Sequence, residues 1–183
     1  MRKIIVSMMV STDGFIEDGK KQIDWHIWDR EMEAYMINFF ERIDLMLFGR
    51  VNWELMAGYW PTEQGKKDEP RIAERMNKLD KIVFSRTLIE ANWENSTLLK
   101  ELDAGFIREL KKQPGKDMVI FGGANIVNSF RKLDLIDEYQ LIVNPVLLGN
   151  GTPLFGPAEE RGTLKLVSAT SFKCGNVILH YHK

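Results

Sequence analysis

Three short stretches of this chain carry residue types suited to holding phosphate. They are Gly49-Arg50-Val51-Asn52-Trp53-Glu54, Ser85-Arg86-Thr87-Leu88 and Gly122-Gly123-Ala124-Asn125-Ile126. Each follows an apolar run that reads as a strand, at 44–48, 81–84 and 117–121. The first and third also open stretches that read as helices. A strand that ends in glycine and feeds a helix exposes backbone N–H groups without intrahelical acceptors, and the helix dipole adds partial positive charge there. Three such turns on the carboxyl edge of one sheet would hold a ligand with several phosphates, which points to a dinucleotide. Taken singly, each glycine is equally a plain strand-to-helix connection, and Arg86 alone reads as a solvated surface arginine.

The elements that must position these turns follow from periodicity. Residues 2–10 read as a buried central strand and 11–23, rich in Asp, Gly and Lys, as a loop. Asp29 is placed as an N-cap. After it Met32, Tyr35, Met36, Phe39, Phe40 and Ile43 fall at the spacing of an amphipathic helix. A short helix is expected over 51–57. Residues 59–70, with two prolines, form the longest irregular stretch, a lid or more commonly a solvated connection. Helices are expected over 71–79 and 124–131. Leu99, Leu102, Phe106 and Leu110 mark another, ended by Pro114-Gly115, and Trp93 marks a further short strand. The tail changes character: 138–148, 164–172 and 177–181 are strand-like with no helix between them. The last two are joined by a turn at Lys173-Cys174-Gly175-Asn176. This order predicts an α/β fold, with a mostly parallel mixed central sheet and a C-terminal antiparallel edge.

At 183 residues the chain suits one domain, 1–183, with a full core. A net charge of −1 gives no electrostatic pull toward nucleic acid or an anionic membrane. No apolar run approaches a membrane span, and residues 4–10 are too short and polar for a signal peptide, so a cytoplasmic protein is expected. The single cysteine, Cys174, excludes an internal disulfide; with Lys173 its only basic neighbour, it reads as inert. His180 and His182 share a face of the last strand, but with no third ligand apparent no metal site is expected.

The three turns, in this order and strand context, resemble the dihydrofolate reductase-like superfamily, whose fold is a three-layer α/β/α sandwich. Ser11-x-Asp13-Gly14-x-Ile16 and Pro145-Val146-Leu147-Leu148-Gly149-Asn150-Gly151-x-Pro153-Leu154-Phe155 are similar to one branch of it. That branch holds the reductase domain of the bifunctional riboflavin-biosynthesis protein and stand-alone reductase-like proteins. The resemblance runs from Lys3 to about Tyr181 and rests on the ordered set of five motifs.

The resemblance implies NADPH as cofactor. Gly49 would admit a phosphate to the backbone, Arg50 would pair with it, and Asn52, where the family often has Thr, would hydrogen-bond the pyrophosphate. Gly122 and Gly123 would do the same on the other side, with Ala124 and Asn125 supplying helix N-terminal N–H groups. Ser85 and Arg86 would meet the adenosine 2′-phosphate, favouring NADPH over NADH. Trp53 reads as core and Glu54 as a first-turn acid favoured by the dipole.

On the substrate side Ser11 and Asp13 are the first candidates. Asp13 would act as an acid or orient a water, or would simply be an Asx-turn residue before Gly14. Trp25 would stack on a planar heterocycle, and Asp29 lies where folate-type enzymes bring in the substrate helix. His26 is expected to titrate near neutral pH and donate a proton, or to have no catalytic part. Asp29, Glu31 and Glu33 do not match the family's pterin-binding acid, and Lys20, Lys21, Arg30 and Arg71 do not form an evident phosphoribosyl site. The expected activity is hydride transfer to a small planar heterocycle or a carbonyl or imine compound, resembling 5-amino-6-(5-phosphoribosylamino)uracil reductase and dihydrofolate reductase. A nucleotide-binding module without efficient catalysis and a purely structural homodimer are the alternatives. A homodimer joined through the C-terminal strands and 145–155 is what the riboflavin branch suggests.

Overall fold

Strand β1 (Ile4–Ser11) is buried along nearly its whole length, as an unbroken apolar run requires when both faces of a strand are covered. The computed structural model describes residues 1–156 and 161–183. Around β1 run β3 (Ile43–Gly49), β4 (Asp80–Phe84), β5 (Ser96–Leu99), β6 (Asp117–Ile120) and β7 (Glu138–Asn144), all parallel to it. Strand β10 (Val177–His182) lies antiparallel between β7 and β9 (Lys165–Ser171). The sheet order is β5-β4-β3-β6-β1-β7-β10-β9. This is the mostly parallel mixed sheet with a C-terminal antiparallel edge that the element order requires.

Side chains alternate across the sheet into two cores. Ile4, Val6, Leu45 and Leu47 pack with Ile107 of α5 (Ala104–Lys112) and with Ile126, Val127 and Phe130 of α6 (Ala124–Lys132). Ile5, Met46, Phe48 and Val83 face the other way. There they meet Met32 and Met36 of α1 (Arg30–Phe40), Trp53 of α2 (Arg50–Ala57) and Met76 of α4 (Pro70–Lys78). Helices thus cover both faces, giving three layers.

Four local expectations are corrected. Residues 11–23 are not all loop: β2 (Phe15–Asp18) pairs with β8 (Gly151–Pro153) in a small antiparallel sheet. Residues 59–70 are not irregular throughout, because the Thr62 hydroxyl caps a short helix, α3 (Glu63–Asp68). Trp93 precedes β5 rather than lying in a strand; it is buried and its Nε1 donates to Asn77 Oδ1 at 2.7 Å. The helix expected from Leu99 starts only at Ala104, where the Asp103 carboxylate accepts the Phe106 N–H. That start turns Ile107 and Lys111 inward and leaves Phe106 exposed, while Leu99 closes β5.

Candidate active site

Strands β4, β3 and β6 are neighbours, so the turns after them lie side by side on the carboxyl edge of the sheet. Gly49 is the N-cap of α2 and Gly123 the N-cap of α6, and neither helix start has a side-chain cap. Three of the other helices differ, and α4 also lacks a side-chain cap. Asp29, Thr62 and Asp103 each cap their helix through a side chain, and α4 starts with Pro70, which has no N–H. Gly123 sits at φ +88° and Gly122 at φ +145°, backbone that L side chains rarely adopt.

The two uncapped starts pack against each other. A Cβ on Gly49 would stand 3.3 Å from Ile126 Cβ; one on Gly122 would stand 3.2 Å from Met8 Sδ and 3.3 Å from Asn52 Oδ1. Asn52 Nδ2 is buried without an acceptor among the described residues. An unpaired buried donor costs about 1–3 kcal/mol, and an acceptor from outside the chain would relieve that cost once the Asn52 amide turns outward. The first turn of α6 closes with Val127 N on Gly123 O, which leaves the N–H groups of Ala124 and Asn125 without intrahelical acceptors. These groups fit a phosphate-bearing ligand: glycines that admit it, and donors that await it.

The charged candidates are placed but occupied. Arg50 Nη1 donates to Glu54 Oε2 at 2.8 Å one helical turn on, so Glu54 is the partner of Arg50. Arg86, 79% exposed, pairs with Glu101 at 3.2 Å. Exposed pairs of this kind are weak and open readily for a stronger anion. The Ser85 hydroxyl is turned into its own loop, where it accepts the Leu88 N–H at 2.9 Å.

Beyond the end of β1 the polar groups serve the loop itself. Asp13 accepts from the Ser11 hydroxyl at 2.6 Å, from Gly149 N at 2.7 Å and from Leu148 N at 3.2 Å. The Ser11 hydroxyl and the Gly149 N–H hold its pKa below the usual carboxylate value, so it is ionised and already used as an acceptor at neutral pH. Asp29 caps Met32 N at 2.9 Å, and Glu31 accepts from Lys173 N at 3.0 Å. Trp25 stands edge-on to His26, and its Nε1 donates to Gln22 O. The expectation that His26 titrates near neutrality is corrected: burial lowers its pKa to about 4, so the imidazole is neutral at pH 7.

Two residues of this region were not singled out in the sequence. Asn144, wholly buried, accepts the Ile27 N–H at 2.9 Å, and Asn176, equally buried, donates to Ile27 O at 2.8 Å. Between them they fix the backbone that carries Trp25, His26 and Trp28 at the carboxyl ends of β1 and β7. The only sequence signal was a polar amide closing one apolar strand and another just preceding β10.

At the amino edge, Glu138 is buried beside four donors. Its carboxylate takes Lys3 at 2.5 Å, Arg42 at 3.2 Å, His180 Nε2 at 2.9 Å and His182 Nε2 at 3.2 Å. Burial pushes its pKa up, but hydrogen bonds from Lys3 and His180 and the Arg42 charge outweigh that and hold it at about 2. The third group that the two histidines lacked in the sequence is therefore present.

The sheet order and the helix layers define a dihydrofolate reductase-like, reductase-type fold. Dihydrofolate reductase of Enterococcus faecalis, solved as a complex with NADP(H), superposes with a TM-score of 0.63 at 14% identity, covering 98% of this chain and 95% of that one. Within that class the chain belongs to the RibD C-terminal domain family, whose model matches residues 2–178. It is 37% identical to the uncharacterized protein YyaP of Bacillus subtilis (strain 168), over 99% of this chain and 95% of that protein. A solved protein of Shewanella sp. PV-4, assigned to riboflavin biosynthesis, is 25% identical with a TM-score of 0.79, each chain being covered over 98%. No helix among the described residues is long and apolar enough to cross a membrane.

Proposed function

We propose that this protein is an NADPH-dependent reductase that transfers hydride to a small planar heterocycle or to a carbonyl or imine compound. The observation that carries the proposal is the pair of glycine-capped helix starts facing the unpaired Asn52 amide. Gly49, Asn52, Gly122, Gly123, Ala124 and Asn125 would hold the pyrophosphate. Arg50 and Arg86 would exchange their carboxylate partners for phosphate, Arg86 with Ser85 at the 2′-phosphate. When bound, NADPH supplies the hydride.

The chain's part is to orient the acceptor and exclude water. Trp25 and Trp28, on the segment fixed by Asn144 and Asn176, offer aromatic surface for a planar ring. Asp29 and Glu31 are both engaged at the start of α1, which leaves Glu33, 3.8 Å from Arg71, as the acid of that first turn nearest to free. Asp13 would orient a water or the loop rather than give up a proton, since its carboxyl is ionised.

The engagement of Asp13 favours one second reading, a nucleotide-binding module of the same fold without efficient catalysis. Titration with NADPH and NADH, followed by nicotinamide fluorescence, tests both. Micromolar NADPH binding is expected, with Arg86→Ala weakening NADPH about tenfold and NADH little. Folded protein that binds neither nucleotide would sink both readings. Binding without turnover across heterocycles, ketones and imines would leave the module.

A further inference from the structure

The geometry points to a second site, on the opposite edge of the sheet from the glycine turns: we propose that Glu138, His180 and His182 bind a zinc-like transition-metal dication. Their ligand atoms all lie within 4.8 Å of one another. The register of β7 and β10 brings this about. Glu138 faces His182 directly, and His180 faces Gln140, two residues further along the same face.

The donor set selects the metal. Two imidazole nitrogens and one carboxylate suit zinc, nickel or copper, whereas magnesium and calcium need a cage of oxygens. His180 Nε2 lies 2.9 Å from Glu138 Oε2 and His182 Nε2 3.2 Å from Oε1, so the rings approach the carboxylate from its two oxygens, and the roughly 3.3 Å between ligand atoms of a tetrahedron is reached once one oxygen turns toward both rings. His182 is 40% exposed, so its ring is free to close the remaining distance to His180, and solvent can supply a fourth ligand.

Lys3 and Arg42 set the strength. An ionised carboxylate offers about four lone-pair sites, and Glu138 has four partners. A metal would take the place of the His180–Glu138 hydrogen bond and leave Lys3 and Arg42 beside the carboxylate. Arg42 is shared with Asp117, so Lys3 and Arg42 together balance Glu138 and Asp117. With no net negative charge to draw a dication in, binding rests on the imidazoles and is micromolar rather than tighter. The bound ion would tie β7 to β10 and add to the hold of Lys3, just ahead of β1.

The test uses the full chain, free of any affinity tag and stripped with EDTA, titrated calorimetrically with zinc chloride and melted with and without it. One zinc per chain is expected, with a melting temperature raised by about 5 °C at saturation. His182→Ala, at the more exposed position and so safe for folding, is expected to weaken binding at least about tenfold. Lys3→Met, which removes a neighbouring cation, is expected to tighten it several-fold. No saturable zinc heat in the wild type, or one isotherm shared by wild type, His180→Ala and His182→Ala, overturns the proposal. Neither outcome bears on the nucleotide titration, which probes the other edge.

Discussion

The two edges of the central sheet are built on opposite rules. On the carboxyl edge, α2 and α6 begin at glycines with no side-chain cap, and Asn52 Nδ2 has no acceptor among the described residues. On the amino edge, the buried Glu138 carboxylate is hydrogen-bonded by Lys3, Arg42 and His180. Unsatisfied groups cost stability, and satisfied ones contribute it. The chain caps α1, α3 and α5 with side chains and leaves α2 and α6 open at glycines, side by side on one edge. The comparison teaches that one sheet can offer backbone donors at one edge and concentrate paired charge at the other.

The largest effect that would break this contrast belongs to Glu138. Glu138→Gln removes the charge under Lys3 and Arg42 and is expected to cost about 3–5 kcal/mol in urea unfolding at pH 7, with nucleotide binding intact. The same carboxylate gives the pH dependence. Its folded pKa of about 2 lies below the unfolded value of 4.5, so its contribution is complete above pH 4.5 and is lost as pH falls from there toward 2. That loss, about 3 kcal/mol, is expected to be missing from Glu138→Gln. A variant as stable as wild type at pH 7 would show that the amino edge is not a source of stability.

A smaller effect is expected from Gly122→Ala, which puts a Cβ against Met8 Sδ and Asn52 Oδ1 at φ +145°. NADPH affinity is expected to fall about 100-fold, with about 1–3 kcal/mol lost from the fold. Unchanged affinity would separate the glycine turns from the cofactor. The smallest effect sharpens the contrast between helix starts: Asp29→Ala removes a cap, is expected to cost about 1 kcal/mol, and should leave the NADPH titration as it was. A loss of NADPH binding in that variant would show that capped and open starts are not separate in function.

The sequence was most legible where the signal is local. Strand, glycine and helix follow one another within a few residues at Gly49 and Gly122, so the elements and the turns between them were readable there, while the strand order was not. The Asp29 cap was legible for the same reason. Pairings between distant segments were not. β2 and β8 are short, and their partnership depends on residues such as Glu17 and Thr152 that carry no sequence pattern. The Glu138 cluster needs the register of β7 against β10, and the hold of Asn144 and Asn176 on Ile27 needs three segments in place at once. The start of α5 was misplaced because Leu99 and Leu102 keep a helical spacing with Phe106 and Leu110, while Asp103 sets the actual beginning.

The position of β1 also has a consequence for how the chain is made. Its neighbours are β6 and β7, and Lys3 bonds Asp117 across 114 residues of sequence. During synthesis the most apolar strand therefore emerges first and waits, unpaired, until most of the chain has left the ribosome. Contacts of such long sequence separation slow folding and lengthen the time in which a bare strand can pair with the wrong partner. The same central placement that shields β1 in the finished molecule makes it the segment most in need of a chaperone beforehand.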